Sequence, residues 1–191
     1  MVEVELKFEI EKVNLTGFLK KLSRLGFTRV RPRTLEKTTM FDNQENLMRS
    51  TNGRIRLRSG KDYHELSYKK PISRSNVKKE VEYETAISDP RIIKKILKTM
   101  GFQPTTSYER YRTTFKNSAG QIKVTVDEFP FTTFLELEAE GYEGRILKLA
   151  RRLGLDPKKS ISLSCDTLFN QWRFSKGLKP SPHLLFRSYA Q

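Results

Sequence analysis

The sequence predicts an α+β protein with one largely antiparallel sheet system and helices against its apolar face. Three observations lead there. Short amphipathic helical segments recur, each closing on a glycine. The segments between them switch to a two-residue period, with one apolar and one charged face. The order strand, helix, several strands then occurs twice along the chain.

The helical segments are residues 19–27 (LKKLSRLGF), 93–102 (IKKILKTMGF) and 147–155 (LKLARRLGL). Phe18, Leu19, Leu22 and Leu25 follow helical spacing, as do Ile92, Ile93, Ile96, Leu97 and Met100. Gly26, Gly101 and Gly154 stand where a left-handed C-terminal cap is expected. Asp89-Pro90 starts the second helix, with proline at its first position. A fourth helix is expected at about Cys165–Lys176, carrying Leu168, Phe169 and Trp172 and ending at Gly177.

Residues 2–11 place Val2, Val4, Leu6, Phe8 and Ile10 on one face and Glu3, Glu5, Lys7, Glu9 and Glu11 on the other. The same alternation sets Ile55/Leu57 against Arg54/Arg56/Arg58, Leu66/Tyr68 against Glu65/Ser67/Lys69, and Val81/Tyr83 against Glu80/Glu82/Glu84. The second half repeats it: Tyr111 against Arg110/Arg112, Ile122/Val124/Val126 against Lys123/Thr125/Asp127, and Leu135/Leu137 against Glu136/Glu138. With a weaker run at 35–42, about eight strands are expected. Residues 71–78 read as a polar loop, and 177–191, with Pro180 and Pro182, as an irregular basic tail.

Composition narrows the function classes. The 191 residues carry 37 Lys/Arg against 22 Asp/Glu, a formal charge of +15. Residues 145–191 hold 10 basic and 2 acidic side chains, so the last quarter alone carries +8. This basic excess points to an anionic partner without specifying one. A single cysteine, Cys165, excludes an internal disulfide and a cysteine zinc cage, and two histidines exclude a histidine-rich metal site. Any metal would be held by oxygen. No apolar run is long enough to span a membrane, the N-terminus lacks the pattern of a signal peptide, and a cytoplasmic location is expected.

The charged faces are not an ordinary solvated mixture. They collect Glu-x-Glu at 3/5, 82/84 and 136/138, and Arg-x-Arg at 56/58 and 110/112. Residues two apart on a strand point the same way, so each pair aims two like charges at one place, which is unfavourable unless something binds there. Paired carboxylates are relieved by a divalent cation, and paired arginines by phosphate. A face carrying both suits a metal–polyphosphate complex.

The order of these motifs resembles the CYTH, or triphosphate tunnel metalloenzyme, superfamily, which includes class IV adenylate cyclases and thiamine, inorganic and RNA triphosphatases. Glu3-Val4-Glu5-Leu6-Lys7 is similar to its ExExK motif, Met40-Phe41-Asp42 to its aromatic-Phe-Asp strand, and Ile55-Arg56-Leu57-Arg58 to its Leu-Arg-Ile-Arg strand. Leu66-Ser67-Tyr68-Lys69-Lys70-Pro71, Glu82-Tyr83-Glu84, Arg110-Tyr111-Arg112, Val126-Asp127-Glu128 and Phe134-Leu135-Glu136-Leu137-Glu138 continue the series to about residue 170.

The resemblance implies an eight-stranded antiparallel β-barrel forming a triphosphate tunnel, with helices packed outside, over residues 1–176 as one domain. It implies that Glu3, Glu5 and Glu136, with Glu138 beside them, hold Mg²⁺ or Mn²⁺. Lys7, Arg56, Arg58, Lys69, Arg110 and Arg112 would bind the triphosphate, with Glu82 and Glu84 lining the substrate. Glu3, Glu5, Lys7 and Asp127 would form the catalytic set. Arg110 replaces the usual lysine, and Ser164-Cys165 stands where Ser-Tyr is usual, which removes any tyrosine role there.

The leading expectation is a metal-dependent triphosphatase acting on tripolyphosphate, thiamine triphosphate or a nucleoside triphosphate. A class IV adenylate cyclase is the alternative, and a non-catalytic polyphosphate or RNA binder the second. No RNA-binding signature is present, so the expected partner is a small triphosphate, with neither nucleic acid nor membrane; the family often forms homodimers. Cys165 reads as a packed residue, His64 as a surface residue and Trp172 as core.

Overall fold

The structure, a computed structural model, describes residues 2–73 and 75–189. Arg74, inside the expected 71–78 loop, and the last two residues of the tail lie outside the described residues. The strands are β1 (Val2–Glu9), β2 (Phe27–Asp42), β3 (Arg54–Ser59), β4 (His64–Pro71), β5 (Lys78–Ala86), β6 (Gln103–Asn117), β7 (Ile122–Glu128), β8 (Thr133–Glu140) and β9 (His183–Leu184). The helices are α1 (Lys12–Arg24), α2 (Leu47–Thr51), α3 (Pro90–Thr99), α4 (Gly144–Leu153) and α5 (Cys165–Ser175). No described helix is long and apolar enough to cross a membrane.

The strands are hydrogen-bonded in the order β2-β3-β4-β5-β1-β8-β7-β6-β9, and β2 also pairs with β6, so the order of the first eight is cyclic. The mixed α+β class and the eight strands expected from the alternation are therefore present. By contacts the chain forms two compact units, through both of which β2, β5 and β6 run. The first comprises Met1–Thr34, Ile72–Glu80 and Tyr111–Ser162, and the second Leu35–Pro71, Val81–Arg110 and Leu163–Gln191.

In the first unit, β1 pairs antiparallel with β8, and β8 with β7. The registers align Leu6, Leu137 and Val124 across three strands on one face, flanked by Val4 and Ala139 on one side and Phe8, Leu135 and Val126 on the other. Leu22 of α1 and Ile146, Leu149, Ala150 and Leu153 of α4 pack on this face, all buried. Each leucine or isoleucine among them contributes about 1.5–3 kcal/mol on burial. Lys21 of α1 donates to the Leu153 carbonyl at 3.0 Å, satisfying an end-group of α4 that the helix itself leaves open. Gly154, at φ 82°, then takes the left-handed turn that ends α4.

In the second unit, β2, β3 and β4 pair antiparallel, aligning Phe41 with Ile55 and Tyr68, and Leu57 with Leu66. Ile93 and Leu97 of α3 cover this apolar face. Asp89 caps α3 by accepting from the Arg91 amide at 2.7 Å. Asp42 closes β2 and starts α2: its Oδ1 accepts from the Asn43 and Met48 amides, both at 2.8 Å, and its Oδ2 from the Arg49 amide at 3.1 Å. The aspartate of the Met40-Phe41-Asp42 motif is thus occupied by backbone.

Three features differ from the sequence reading. Strand β2 begins at Phe27, well before the expected 35–42 run. Its first half holds Arg29, Arg31, Pro32 and Arg33 beside an exposed Val30, so no apolar face announces it. Helix α2 has five residues, too few to show a period. The tail, expected to be irregular, contains β9, which pairs parallel with Ser107 and Tyr108 of β6. Two residues of strand carry no periodicity, but Leu184 is buried and His183 Nδ1 meets Ser107 Oγ at 2.8 Å.

Candidate functional site

The polar face of each unit holds a buried cluster of charges. In the first unit, the alternation that turns Leu6, Leu137 and Val124 inward turns Glu5, Lys7, Glu136, Glu138, Lys123 and Asp127 to the opposite face. Register sets Glu5 opposite Glu138 and Lys7 opposite Glu136, while Arg112 of β6 lies opposite Asp127. Lys7 Nζ reaches Glu136 Oε1 at 3.2 Å and Glu5 Oε1 at 3.5 Å. Arg112 grips Asp127 with two bonds, at 2.6 and 2.5 Å, and donates to Glu136 Oε2 at 2.8 Å. Glu136 therefore bridges the two phosphate-binding cations expected in this unit.

Lys78 of β5 lies 2.8 Å from Glu80 and 3.6 Å from Glu5, and Lys123 pairs with Glu138. Burial pushes the Glu5 carboxyl up, but Lys78 and Lys7 outweigh it and hold Glu5 below its ordinary value. The Glu138 carboxylate raises the Lys123 ammonium against the effect of burial. Glu3, half-buried opposite Glu140, adds to the field on Lys123. Asp127 has no solvent exposure at all and is engaged by Arg112 through both oxygens.

In the second unit, Arg54, Arg56 and Arg58 face Lys69, Ser67 and Glu65 across β3 and β4. Glu82 binds Lys69 at 2.8 Å and Arg56 at 3.5 Å. Arg58 Nη1 meets Glu65 Oε1 at 3.0 Å. Glu36 of β2, fully buried, accepts from Arg110 Nε at 2.9 Å and takes a hydrogen bond from the Tyr63 hydroxyl. Partial desolvation of this solvent-exposed residue and the neighbouring charges of Glu65 and Glu82 raise the Glu84 carboxyl to about 7, with Arg58 opposing.

The expected residues thus fall into two groups. Glu5, Lys7, Arg112, Asp127, Glu136 and Glu138 converge in the first unit, with Glu3 on the same strand face. Arg56, Arg58, Lys69, Glu82, Glu84 and Arg110 belong to the second. The sequence reading did not single out Lys78, Lys123, Glu36, Glu65 or Tyr63. Lys123 and Glu65 stood on the charged faces already noted without being given a site role, and Lys78 could have been found by the same two-residue rule, since it shares a face with Glu80.

Among the described residues no three acidic, histidine or cysteine side chains stand close enough together to hold an ion. The donor chemistry nevertheless fits one. Glu5 Oε1 is buried without a hydrogen bond, 3.5 Å from Lys7 Nζ, while Glu138 Oε2 is engaged by Lys123. The six carboxylates Glu3, Glu5, Glu80, Asp127, Glu136 and Glu138 stand against four cations, Lys7, Lys78, Arg112 and Lys123. That surplus of two negative charges, all on oxygen, is what a hard divalent ion offsets.

The model of the CYTH domain matches residues 1–162 of this chain. No curated protein sequence matches it. Among solved structures, a proposed adenylate cyclase from Vibrio parahaemolyticus superposes with a TM-score of 0.77 at 18% identity, covering 88% of this chain and 98% of the other. The PH1819 protein of Pyrococcus horikoshii gives 0.71 at 23% identity, covering 90% and 99%. HpAC1 from Hippeastrum gives 0.62 at 17% identity, covering 92% and 96%. These likenesses show a shared fold.

Proposed function

Because this chain belongs to the CYTH family, we propose that it is a divalent-metal-dependent hydrolase of a triphosphate, in which water attacks the terminal phosphorus. The observation that carries the proposal is the opposition of Glu5 and Glu138, two buried carboxylates at directly facing positions of β1 and β8. Like charges placed so repel each other; Lys7, Lys78 and Lys123 offset that repulsion here, and a bound divalent cation would take over their part.

Glu3, Glu5, Glu136 and Glu138 would hold Mg²⁺ or Mn²⁺. When bound, the ion would neutralise phosphoryl oxygen charge as a Lewis acid. Lys7 and Arg112, already aimed at Glu136 from two sides, would exchange that carboxylate for phosphate oxygens. Asp127 keeps the Arg112 fork in one orientation, which suits two-point contact with phosphate. Arg56, Arg58, Lys69 and Arg110 are the further phosphate-binding cations, with Glu82 and Glu84 bordering them. Phosphoryl transfer asks little of the protein beyond such positioning and charge stabilisation.

HpAC1, a proposed adenylyl cyclase of the same fold, is described as having a dominant triphosphatase activity. The same two activities are separated here by one experiment. Purified protein is incubated with tripolyphosphate, thiamine triphosphate or ATP, with Mg²⁺ or Mn²⁺. Orthophosphate released only when metal is present is the expected result. Cyclic AMP as the main product from ATP would replace the hydrolase by a cyclase, and binding without turnover of any substrate would leave a polyphosphate binder.

A further inference from the structure

We infer that Glu36 is a positioning residue that fixes the guanidinium group of Arg110, with Arg58 beside it, for a phosphate ligand and is itself held by Tyr63. The inference rests on the phosphate-binding role proposed for these arginines. Glu36 has no solvent exposure, and two arginines and one tyrosine converge on it. Arg110 meets its Oε2 through Nε at 2.9 Å and Nη2 at 2.8 Å, and Arg58 Nε stands 3.8 Å from the same oxygen. The Tyr63 hydroxyl donates to the other oxygen, Oε1.

Arg110 thus presents its Nε edge to Glu36 within hydrogen-bond range, whereas Arg58 Nε makes a longer charge contact without a hydrogen bond. A guanidinium is a planar fork, so fixing one edge sets the direction of the whole group. A carboxylate with no access to water is an expensive way to fill space, and an apolar side chain of similar volume would cost less. Orientation of Arg110, with charge balance for Arg58, gives that cost a purpose. Glu65 and Glu82, which also touch the arginines of this unit, keep some solvent contact and can yield to an incoming anion; Glu36 cannot.

The turn between β3 and β4 is shaped for the same contact. The Gly60 amide donates to the Tyr63 carbonyl at 2.9 Å. A Cβ on Gly60 would stand 2.2 Å from Tyr63 Cε1 and 2.7 Å from Cδ1, so only glycine lets the ring lie across the turn. The series Gly60, Tyr63, Glu36, Arg58 and Arg110 links a turn glycine to two expected phosphate ligands.

Two accounts of Glu36 predict opposite signs. If the local field alone matters, Glu36→Gln removes a negative charge and strengthens anion binding. If Glu36 positions Arg110, the same change weakens binding despite the added positive potential. The test is calorimetric titration of the metal-free protein, in chelator, with inorganic tripolyphosphate. Positioning predicts about tenfold weaker binding in Glu36→Gln, the loss expected for one charge-assisted contact. It predicts partial recovery in Glu36→Asp. Tyr63→Phe and Gly60→Ala, which leave every charge in place, should each weaken binding about threefold.

Equal or tighter binding by Glu36→Gln, with its circular dichroism unchanged, would overturn the inference. If Glu36→Gln does not fold, Tyr63→Phe and Gly60→Ala decide, and unmodified affinity in both would overturn it. Failure of the unmodified protein to bind tripolyphosphate is a separate result, which overturns the phosphate reading and this inference with it.

Discussion

Glu5 of β1 and Glu138 of β8 stand directly opposite each other in the antiparallel ladder, both nearly excluded from solvent. Each is answered by lysine: Glu5 by Lys7 and Lys78, Glu138 by Lys123. The arrangement keeps two negative charges side by side in a medium where their repulsion is stronger than in water. Lysine is a flexible point charge that can swing aside when a stronger cation arrives. The opposition therefore reads as a place kept anionic.

Glu5→Gln and Glu138→Gln remove one charge each while preserving shape. Metal-dependent orthophosphate release should fall about a hundredfold or more in either variant, on the scale of losing a major electrostatic contact in the transition state. Near-normal turnover at saturating Mg²⁺ in both would remove these residues from the metal assignment. Glu5 also has a stability signature. Its folded pKa is depressed below the ordinary 4.5, so its ionisation stabilises the protein above about pH 4.5, and that contribution is lost as pH falls through the lower folded value. The midpoint of chemical denaturation should therefore separate Glu5→Gln from the unmodified protein at pH 7 and converge with it in strong acid.

Asp127 and Arg112 form a buried two-point pair, and breaking it takes from Arg112 two of its buried carboxylate bonds while the one to Glu136 stays. Asp127→Asn should be destabilising in urea denaturation, by less than the ~3–5 kcal/mol of a buried charge left wholly unpaired, because Glu136 still faces Arg112. Arg112→Met with Asp127→Leu, which removes both charges, should cost much less than Asp127→Asn. A double variant as damaged as the single one would show that shape, not charge pairing, sets the cost.

Much of this was legible in the sequence because a strand with one apolar face advertises itself. Leu6, Leu137 and Val124 mark three strands, and the same period names Glu5, Glu136 and Asp127 as residents of the opposite face. Register is not legible in this way. Nothing in the order of residues says that Lys7 faces Glu136 while Lys123 takes Glu138, because pairing depends on turns and on neighbouring strands. Glu36 was passed over for a related reason. It lies in a run whose odd-numbered face, Leu35, Lys37, Thr39 and Phe41, is only half apolar, and its partners come from two distant segments, the β3–β4 hairpin with Arg58 and Tyr63 and β6 with Arg110. The first half of β2 has no apolar face, and β9 is too short to show a period.

Asp42 tests whether a family-motif residue acts through structure alone. Its carboxylate takes two backbone amides in the first turn of α2, Met48 and Arg49, and the amide of Asn43 beside it, the work of a helix cap. Asp42→Ala should destabilise the protein by about 1–2 kcal/mol, the usual cost of a lost cap. The affinity for tripolyphosphate should change far less than in Arg56→Ala, where weaker binding is expected. A loss of affinity in Asp42→Ala equal to that in Arg56→Ala, with the fold intact, would give Asp42 a direct role.

Glu84 supplies a pH dependence with a defined sign. Partial desolvation and the charges of Glu65 and Glu82 raise its pKa from 4.5 to about 7, so between those values the folded protein holds a proton that the unfolded chain has released. Stability from this group is therefore present in acid and falls as pH rises through that window, opposite to the Glu5 contribution. Ligand binding should follow the same direction, because Glu84 gains a negative charge near Arg58 as it ionises. Glu84→Gln stays neutral throughout. Between about pH 6 and pH 8 its tripolyphosphate affinity should decline less than that of the unmodified protein, the common ionisation of the ligand cancelling in the comparison. Parallel pH profiles for the two proteins would show that Glu84 does not titrate in this range or lies outside the reach of the ligand.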